Sequence, residues 1–311
     1  MGAHGLAVWL GFTGIVVALL ILDLGVLNRR SHVLSFKEAM SWSLGLIAFA
    51  FVFGLFLWWR EGGQHALEYY TGYLIELSLS VDNLFVFILI FNYFGVPAEA
   101  QPKVLKWGIL GAIVMRFIMI GLGALLLSRF DWIIYLFGGI LLLTGIRMLF
   151  QKDERIELEK NPVVRLARRV LPFASAYDGT NFTCRTSRGR LLATPLVLVL
   201  LVVEWSDLVF AIDSIPAIFA ITRDPFLVYS SNIFAILGLR ALFFVLAGMM
   251  DRFVYLKPGV ALILVFVGGK MAVSAWLHVP TLVSLAIVVL TLAGAVGLSL
   301  AKSAREERAA A

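Results

Sequence analysis

The chain has 311 residues, of which 61% are hydrophobic and 15% are charged, and its mean hydropathy is +0.94. Soluble domains have about 45–50% apolar and about 25% charged residues, so this composition excludes an ordinary soluble domain and indicates a polytopic membrane protein. The formal net charge is +6, and the single cysteine, Cys184, excludes a disulfide within the chain and argues against a thiol metal cluster.

Apolar runs recur along the whole chain and predict an all-α protein with about nine transmembrane helices. The runs cover residues 6–26, 42–59, 68–94, 107–128, 132–150, 192–221, 226–249, 256–277 and 281–301. The first run is interpreted as a retained helix and not a signal peptide, because the basic pair Arg29-Arg30 follows it and no Lys or Arg precedes it.

Lys and Arg outside these runs concentrate in alternate loops and in the C-terminal tail. The opposite set of loops holds only Arg60, Arg129 and Arg223. Since cytoplasmic loops carry the excess of Lys and Arg, the pattern predicts an N-terminus outside the cell and a cytoplasmic C-terminus.

One long loop, residues 151–191, interrupts the series and contains nine Lys and Arg residues. Its segment VVRLARRVL is typical of a short surface helix, and its charge suits a cytoplasmic face near anionic lipid. We interpret the loop as a basic linker that fixes topology. The alternative is a regulatory or lipid-sensing segment.

Two stretches of the sequence repeat one another. ELSLSVDNLFVF (76–87) aligns with DLVFAIDSIPAI (207–218), and polar residues match at three positions. The matched pairs are Glu76 with Asp207, Asp82 with Asp213, and Asn83 with Ser214. Such agreement at polar positions indicates an internal repeat.

The match continues through the next two runs. GAIVMR (111–116) aligns with AILGLR (235–240), and ILLLTGIRM (140–148) aligns with ILVFVGGKM (263–271). The third to fifth runs therefore repeat as the sixth to eighth. Because three is an odd number, the copies must cross the membrane in opposite directions, and inverted repeats of this kind place a substrate site near the midplane, at their interface.

The predicted organisation has five parts. They are two N-terminal helices (1–67), the first three-helix repeat (68–150), the basic cytoplasmic loop (151–191), the second, inverted repeat (192–277), and the last helix with a cytoplasmic tail (278–311).

Helical spacing predicts which polar side chains face one another. Glu76, Ser80 and Asn83 share one helix face, and Glu204, Asp207 and Ser214 share another. On regular helices Asp82 and Asp213 point about 120° away from their paired acids. Pro216 predicts a break that would swing Asp213 inward and free a carbonyl oxygen.

Carboxylate, amide and hydroxyl oxygens together suit a hard divalent cation, and the lack of Cys and His among them argues against copper and zinc. The candidate ligands are Glu76, Asp82, Asn83, Glu204, Asp207, Asp213 and Ser214. Carboxylates held close together favour binding of a cation or of protons, so the site could exchange one for the other.

The alternative interpretation is that basic residues within the spans pair with these acids. The candidate charge-balancing or coupling residues are Asp23, Arg116, Arg240 and Lys270, with Arg147 near a span end. Acids in or near the spans outnumber bases by two, which one divalent cation would balance. A mixed arrangement is favoured, in which some acids bind the cation and bases hold the others.

Lys270 could enter the site when the cation leaves. Asp23 could cap an interface with Arg29 or reach the pocket.

The repeated motifs and TPLVLVLLVVEWSDLVFAIDSIPAIFAIT (194–222) resemble the TerC family of integral membrane proteins, closest to its Alx-like branch, and nearly the whole chain takes part. It is also similar to LysE-type transporters, which have three-plus-three inverted repeats. The resemblance implies manganese export and metal balance in a bacterial cytoplasmic membrane. By this resemblance, the acidic motif positions of the family correspond to the candidate ligands named above. The family name reflects tellurite resistance, which we expect to be indirect because carboxylates would repel an anion.

These features predict a cation transporter and not an enzyme, since no dinucleotide fingerprint, haem ligand pair or thiol pair is present. We expect no cofactor apart from the transported cation. The expected partners are the lipid bilayer, a divalent metal ion and protons, with no nucleic acid, and a homo-oligomer or stress proteins are further possible partners. The alternative function is a membrane scaffold or stress sensor that acts through residues 151–191.

Overall fold

The computed structural model describes residues 5–23, 35–130, 132–150, 162–185, 190–247, 255–273 and 279–310. These residues form a predominantly helical membrane protein. The helices are α1 (Leu6–Ile21), α2 (Phe36–Glu61), α3 (Gly63–Tyr93), α4 (Gln101–Arg129), α5 (Ile133–Phe150), α6 (Pro162–Val170), α7 (Pro195–Phe219), α8 (Pro225–Leu237), α9 (Leu239–Ala247), α10 (Leu256–Ala272) and α11 (Thr281–Ala310). Two short strands, β1 (Thr183–Arg185) and β2 (Leu191–Ala193), pair antiparallel between α6 and α7.

Within the described ranges, six helices are long and apolar enough to cross a membrane: α2, α3, α4, α5, α7 and α11. The pair α8 and α9 is bent by 43° at Gly238 and makes a seventh if it is one span. The sequence predicted nine. The two remaining predicted spans fall on α1, with 16 residues, and α10, with 17. Both helices are short for a bilayer of about 30 Å, and undescribed chain adjoins each of them.

Local sequence signals set several helix boundaries. Ser35 and Glu38 form a capping box at the start of α2, and Asp224 accepts a hydrogen bond from the Phe226 amide at the start of α8. Between α2 and α3 the chain reverses through Gly62, whose φ of 96° lies in the region that glycine adopts without steric cost. These two helices consequently pack as a hairpin.

An aromatic cluster joins α1, α2, α3 and α8. Phe53 lies 5.0 Å from Phe234, 5.4 Å from Tyr69 and 5.6 Å from Phe12, measured between ring centroids. Phe12 also meets Phe226 edge-on at 5.5 Å. Tilted and edge-on pairs at these separations are the favoured arrangements of aromatic rings, so the cluster fixes α1 and α2 against α8.

The closest helix packing in the described residues joins α5 and α10 at glycines. A Cβ atom added to Gly145 would lie 2.9 Å from the Ala261 carbonyl oxygen, and one added to Gly268 would lie 2.8 Å from the Gly138 carbonyl oxygen. Gly138, early in α5, thus contacts Gly268, late in α10, so the two helices run antiparallel. Small residues allow such close approach of membrane helices, where dispersion contacts drive association.

The central packing involves four helices, with α3 and α4 each packed against both α7 and α8. Gly72 of α3 contacts Ile218 near the end of α7, while Phe87, late in α3, lines a cavity together with Val203, early in α7. The helices α3 and α7 therefore run antiparallel. Their facing sides hold the polar residues described below.

The segment between α6 and α7 contains the two strands, which the prediction of an all-α protein missed. Val164 and Ala167 of α6 are buried, and α6 packs on α7. The Tyr177 hydroxyl donates a hydrogen bond of 2.6 Å to the carbonyl of Phe94, and the Lys103 ammonium donates one of 2.6 Å to the carbonyl of Thr180. The predicted surface helix is present as α6.

The predicted break at Pro216 is wrong. The helix α7 continues through Pro216 and ends at Phe219. A proline so close to the last turn removes the hydrogen bond to the Ile212 carbonyl but leaves few later residues to deflect. The direction of Asp213 therefore follows the regular helix.

We expect Gly268→Ala to lower stability by about 1–3 kcal/mol, because the new methyl group would overlap backbone atoms of α5. Gly269→Ala is the matched control, since a Cβ atom at Gly269 meets nothing within 4 Å. Thermal unfolding of the detergent-solubilised variants measures the difference. Equal melting temperatures would contradict the close α5–α10 contact.

Candidate functional site

The centre of the polar region is Arg116 on α4, whose side chain is fully buried. Its Nη1 donates to Oε1 of Glu76 on α3. Its Nη2 lies 3.0 Å from Oδ1 of Asp207 on α7, and its Nε lies 3.4 Å from Oδ2 of the same carboxylate. The Ser214 hydroxyl is 3.5 Å from Nη1. One guanidinium thus binds carboxylates from both repeated motifs.

The face of α3 that carries Glu76 is buried and only partly paired. Glu76, Ser80 and Asn83 are each at most 2% exposed. Among the described residues, Glu76 Oε2, Ser80 Oγ and Asn83 Nδ2 have no hydrogen-bond partner. Buried polar atoms without partners are uncommon in folded proteins and point to a bound ion, water or a second conformation.

Next to Arg116 lies a small cavity, which we call the acidic pocket. Its lining includes Glu204, Asp207, Gly108 and Val203, and its volume is about 10 Å³. That volume is near the lower limit for holding one water molecule. The Glu204 carboxylate lies against Gly111, where a Cβ atom would come within 2.0 Å of Oε1, so a larger residue there would displace the carboxylate from its present position.

Asp213 does not join this group. Its Oδ1 accepts a hydrogen bond of 3.0 Å from the Thr144 hydroxyl of α5. The reason is helical phase, because six residues separate Asp213 from Asp207 and α7 is not broken between them. The Asp82 side chain, its partner in the repeat, lies outside the described part of the chain.

The other predicted charge-balancing residues lie apart from Arg116. Arg240 donates a hydrogen bond of 2.6 Å from Nη2 to Oδ1 of Asp23, and both residues are buried. Asp23 is therefore paired with α9, while the predicted alternative partner, Arg29, lies outside the described residues. The Lys270 ammonium lies 3.0 Å from the Ser284 hydroxyl of α11.

Charge at the centre is unbalanced when all groups are ionised. Glu76, Asp207 and Glu204 bring three carboxylates to one guanidinium, an excess of two negative charges. In the described residues no three Asp, Glu, His or Cys side chains converge closely enough to hold a metal ion, because Arg116 occupies the space between Glu76 and Asp207. The arrangement can attract a divalent cation, and a bound cation would have to displace Arg116 from at least one carboxylate.

The polar residues of α8 were not among the predicted site residues. Ser230, Ser231 and Asn232 are fully buried. Both side-chain polar atoms of Asn232 lack a hydrogen-bond partner in the described residues. Three consecutive polar residues inside the apolar run 226–237 were a signal that could have found them.

Comparison with known proteins identifies the family. The model of the "Integral membrane protein TerC family" matches residues 61–307. The chain belongs to the TerC family. Over 303 residues it is 50% identical to the "Uncharacterized membrane protein STKORF319" of Myxococcus xanthus. This alignment covers 97% of this chain and 94% of the relative. No solved structure matches the chain.

Two further bacterial relatives align over most of the chain. The "Putative membrane-bound redox modulator Alx" of Escherichia coli strain K12 is 48% identical over 289 residues, covering 90% of both chains. An "Uncharacterized membrane protein" of Rickettsia felis is 43% identical over 284 residues, covering 91% of this chain and 94% of the relative. The TerC chain is thus a multi-pass integral membrane protein with bacterial relatives of nearly the same length.

We expect Arg116→Met to lower stability by about 3–5 kcal/mol, because Glu76 and Asp207 would remain buried without their cation. Arg129→Met, at an exposed helix end, is the control. Thermal unfolding in detergent compares the two. If the variants melt at the same temperature, Arg116 does not hold the two carboxylates together.

Proposed function

We propose that the protein is a transporter and not an enzyme. It exports a divalent metal cation, with manganese as the preferred substrate, across a bacterial cytoplasmic membrane in exchange for protons. The observation that carries the proposal is the excess of carboxylates over guanidinium at the junction of α3, α4 and α7. A buried site with this charge is costly unless a cation or protons occupy it.

An inverted-repeat architecture supports alternating access. The repeat alignment pairs Gly145 with Gly268, Gly138 with Ala261 and Leu142 with Val265. In the structure Gly145 approaches Ala261 and Val265, while Gly268 approaches Gly138 and Leu142. Each of these glycine contacts is thus matched by its counterpart with the roles exchanged, as expected across a two-fold axis.

The first helices of the proposed repeats follow the same rule. Gly72 contacts Ile218, and the residues that align with them, Val203 and Phe87, line one cavity together. Antiparallel equivalent helices are what inverted repeats produce when the axis lies in the membrane plane. Within this proposal α3, α4 and α5 form one unit, and α7, the bent pair α8–α9 and α10 form the other.

We extend the proposal to nine spans by counting α1, α10 and the bent pair as one crossing each. The distribution of Lys and Arg then places the N-terminus outside and the C-terminus in the cytoplasm. In this orientation the segment from α6 to β2 lies on the cytoplasmic side.

The proposed mechanism makes Arg116 and the cation alternative partners of the same acids. When the cation binds Asp207 and Glu204, Arg116 retreats toward Glu76. When the cation leaves, Arg116 or protons neutralise the carboxylates. The binding groups are all oxygen atoms, which favours manganese, magnesium or calcium, and the family resemblance selects manganese among these. Asp82, Asn83, Asp213 and Ser214 remain proposed contributors in a conformation other than the present one.

Tellurite resistance fits this proposal only indirectly, since tellurite is an anion and the site is rich in carboxylates. The alternative function, a scaffold or stress sensor, finds support in residues 177–180, which bond to the end of α3 through Tyr177 and to the start of α4 through Lys103. Exchanging residues 151–191 for an unrelated linker while measuring manganese efflux separates the two functions.

We expect Glu76→Gln, Asp207→Asn and Asp213→Asn to reduce manganese efflux from proteoliposomes at least tenfold, because each removes an acid that the proposed transport cycle uses, Asp213 in the other conformation. Glu99→Gln, an exposed acid in the α3–α4 connection, is the control and should transport like the unchanged protein. Normal efflux from all three site variants would show that the acids are not the transport site.

Proton exchange predicts that a pH gradient drives transport. Manganese should accumulate against its gradient when protons flow the opposite way, and a protonophore should abolish the accumulation. Radiometric or dye-based manganese flux in proteoliposomes measures both. Accumulation that persists with the protonophore present would exclude proton coupling.

A further inference from the structure

Asn232 is buried in α8 without a partner. It is fully inaccessible to solvent, and neither Oδ1 nor Nδ2 makes a hydrogen bond to any described residue. Leaving a buried amide unsatisfied costs stability, whereas an apolar side chain of the same shape would not. The residue therefore needs an explanation other than packing.

The position of Asn232 on its helix tells where its side chain points. Tyr229 faces α4 and α1, with its ring 5.4 Å from that of Phe117 and 5.7 Å from that of Trp9. Ser231 faces α3, where it lies against Gly72. At about 100° per residue, Asn232 lies roughly 60° from Tyr229 and about 100° from Ser231, in the sector between them. This phase puts Asn232 on the side of α8 that faces the space between α3 and α4, the helices that carry Glu76 and Arg116.

The repeat alignment leads to the same place. It pairs Asn232 with Gly108, Gly72 with Val203 and Glu76 with Asp207. Gly108, Val203 and Asp207 all line the acidic pocket. A counterpart of that pocket would then lie between Gly72, Glu76 and Asn232, and Glu76 Oε2 is also buried without a partner.

We propose that Asn232 Oδ1 and the free oxygen of Glu76 form a second binding position for the transported divalent cation, on the opposite side of Arg116 from the acidic pocket. This inference rests on the proposed function and adds a site to it. The carboxylate supplies charge and the amide oxygen supplies a neutral ligand of the kind that hard cations accept.

The two positions lie toward opposite ends of the bundle. Val203 is roughly two turns from the start of α7, and Gly72 is roughly two to three turns from the start of α3. Because α3 and α7 run antiparallel, the acidic pocket lies nearer the α6 end and the Asn232 position lies nearer the Gly62 end. A cation that moves from one position to the other would pass Arg116, which is bound to Glu76 of α3 and to Asp207 of α7.

The test is Mn²⁺ binding to the purified full-length protein in detergent, measured by loss of the free Mn²⁺ paramagnetic resonance signal. Asn232→Leu should weaken binding at least fivefold while the protein keeps or gains thermal stability, since the variant removes an unpaired amide without changing volume much. Asn232→Asp retains an oxygen ligand and should bind at least as tightly as the unchanged protein. Ser230→Ala, equally buried and bonded only within its helix, is the control and should not change binding.

Double variants locate the effect. If Asn232 and Glu76 share one position, Asn232→Leu should add little to the loss caused by Glu76→Gln, yet should multiply the loss caused by Glu204→Gln. Unchanged Mn²⁺ binding by Asn232→Leu, or equal additivity with both acids, would overturn the inference, and so would an unchanged protein that binds no Mn²⁺. Manganese flux is measured separately, so a protein that binds without transporting would contradict the export proposal alone.

Discussion

The placement of one guanidinium, that of Arg116, determines how the central helices are arranged. A charged group this deeply buried is tolerated only when opposite charges and hydrogen bonds surround it. Glu76 from α3 and Asp207 from α7 supply both, so three helices must keep their relative positions for the ion pairs to persist. The same contacts make the centre responsive, because anything that neutralises either acid weakens the hold on Arg116. In the proposed transporter, stability and function would therefore depend on the same atoms.

Glycines make this arrangement sterically possible. Gly108 and Gly111 on α4 bring α7 close enough for Glu204 and Asp207 to reach the acidic pocket, and Gly72 does the same for α8 against α3. Membrane helices gain little from the hydrophobic effect when they associate, so close contact between small residues must supply the attraction. The helices around the polar centre consequently pack tightly and leave a cavity barely large enough for one water molecule.

Helical spacing in the sequence predicted the sides of α3 and α7 that carry Glu76 and Asp207, and both acids are buried. Glu76, Asp207 and Ser214 were placed on facing helix surfaces, and the structure gathers them around Arg116. Pro216 misled the prediction for Asp213, because a proline near a helix end does not have to bend the helix. Asn232 escaped notice because its counterpart in the repeat, Gly108, has no polar side chain to match. The prediction of nine spans is not confirmed among the described residues, where six helices meet the length criterion and a seventh does if the bent pair is one span. Apolar runs alone do not show where a helix bends or ends.

The segment from α6 to β2 connects the two halves of the chain mechanically as well as in sequence. The Tyr177 hydroxyl bonds to Phe94 at the end of α3, and the Thr180 carbonyl accepts from Lys103 at the start of α4. The amide of Thr194, at the start of α7, donates to the Phe182 carbonyl. The segment thus acts as a short tether between the end of α3 and the beginning of α7. If the halves rock against each other, that end of the bundle cannot separate until these bonds stretch or break, so the tether sets a limit on how wide one mouth of the protein can open.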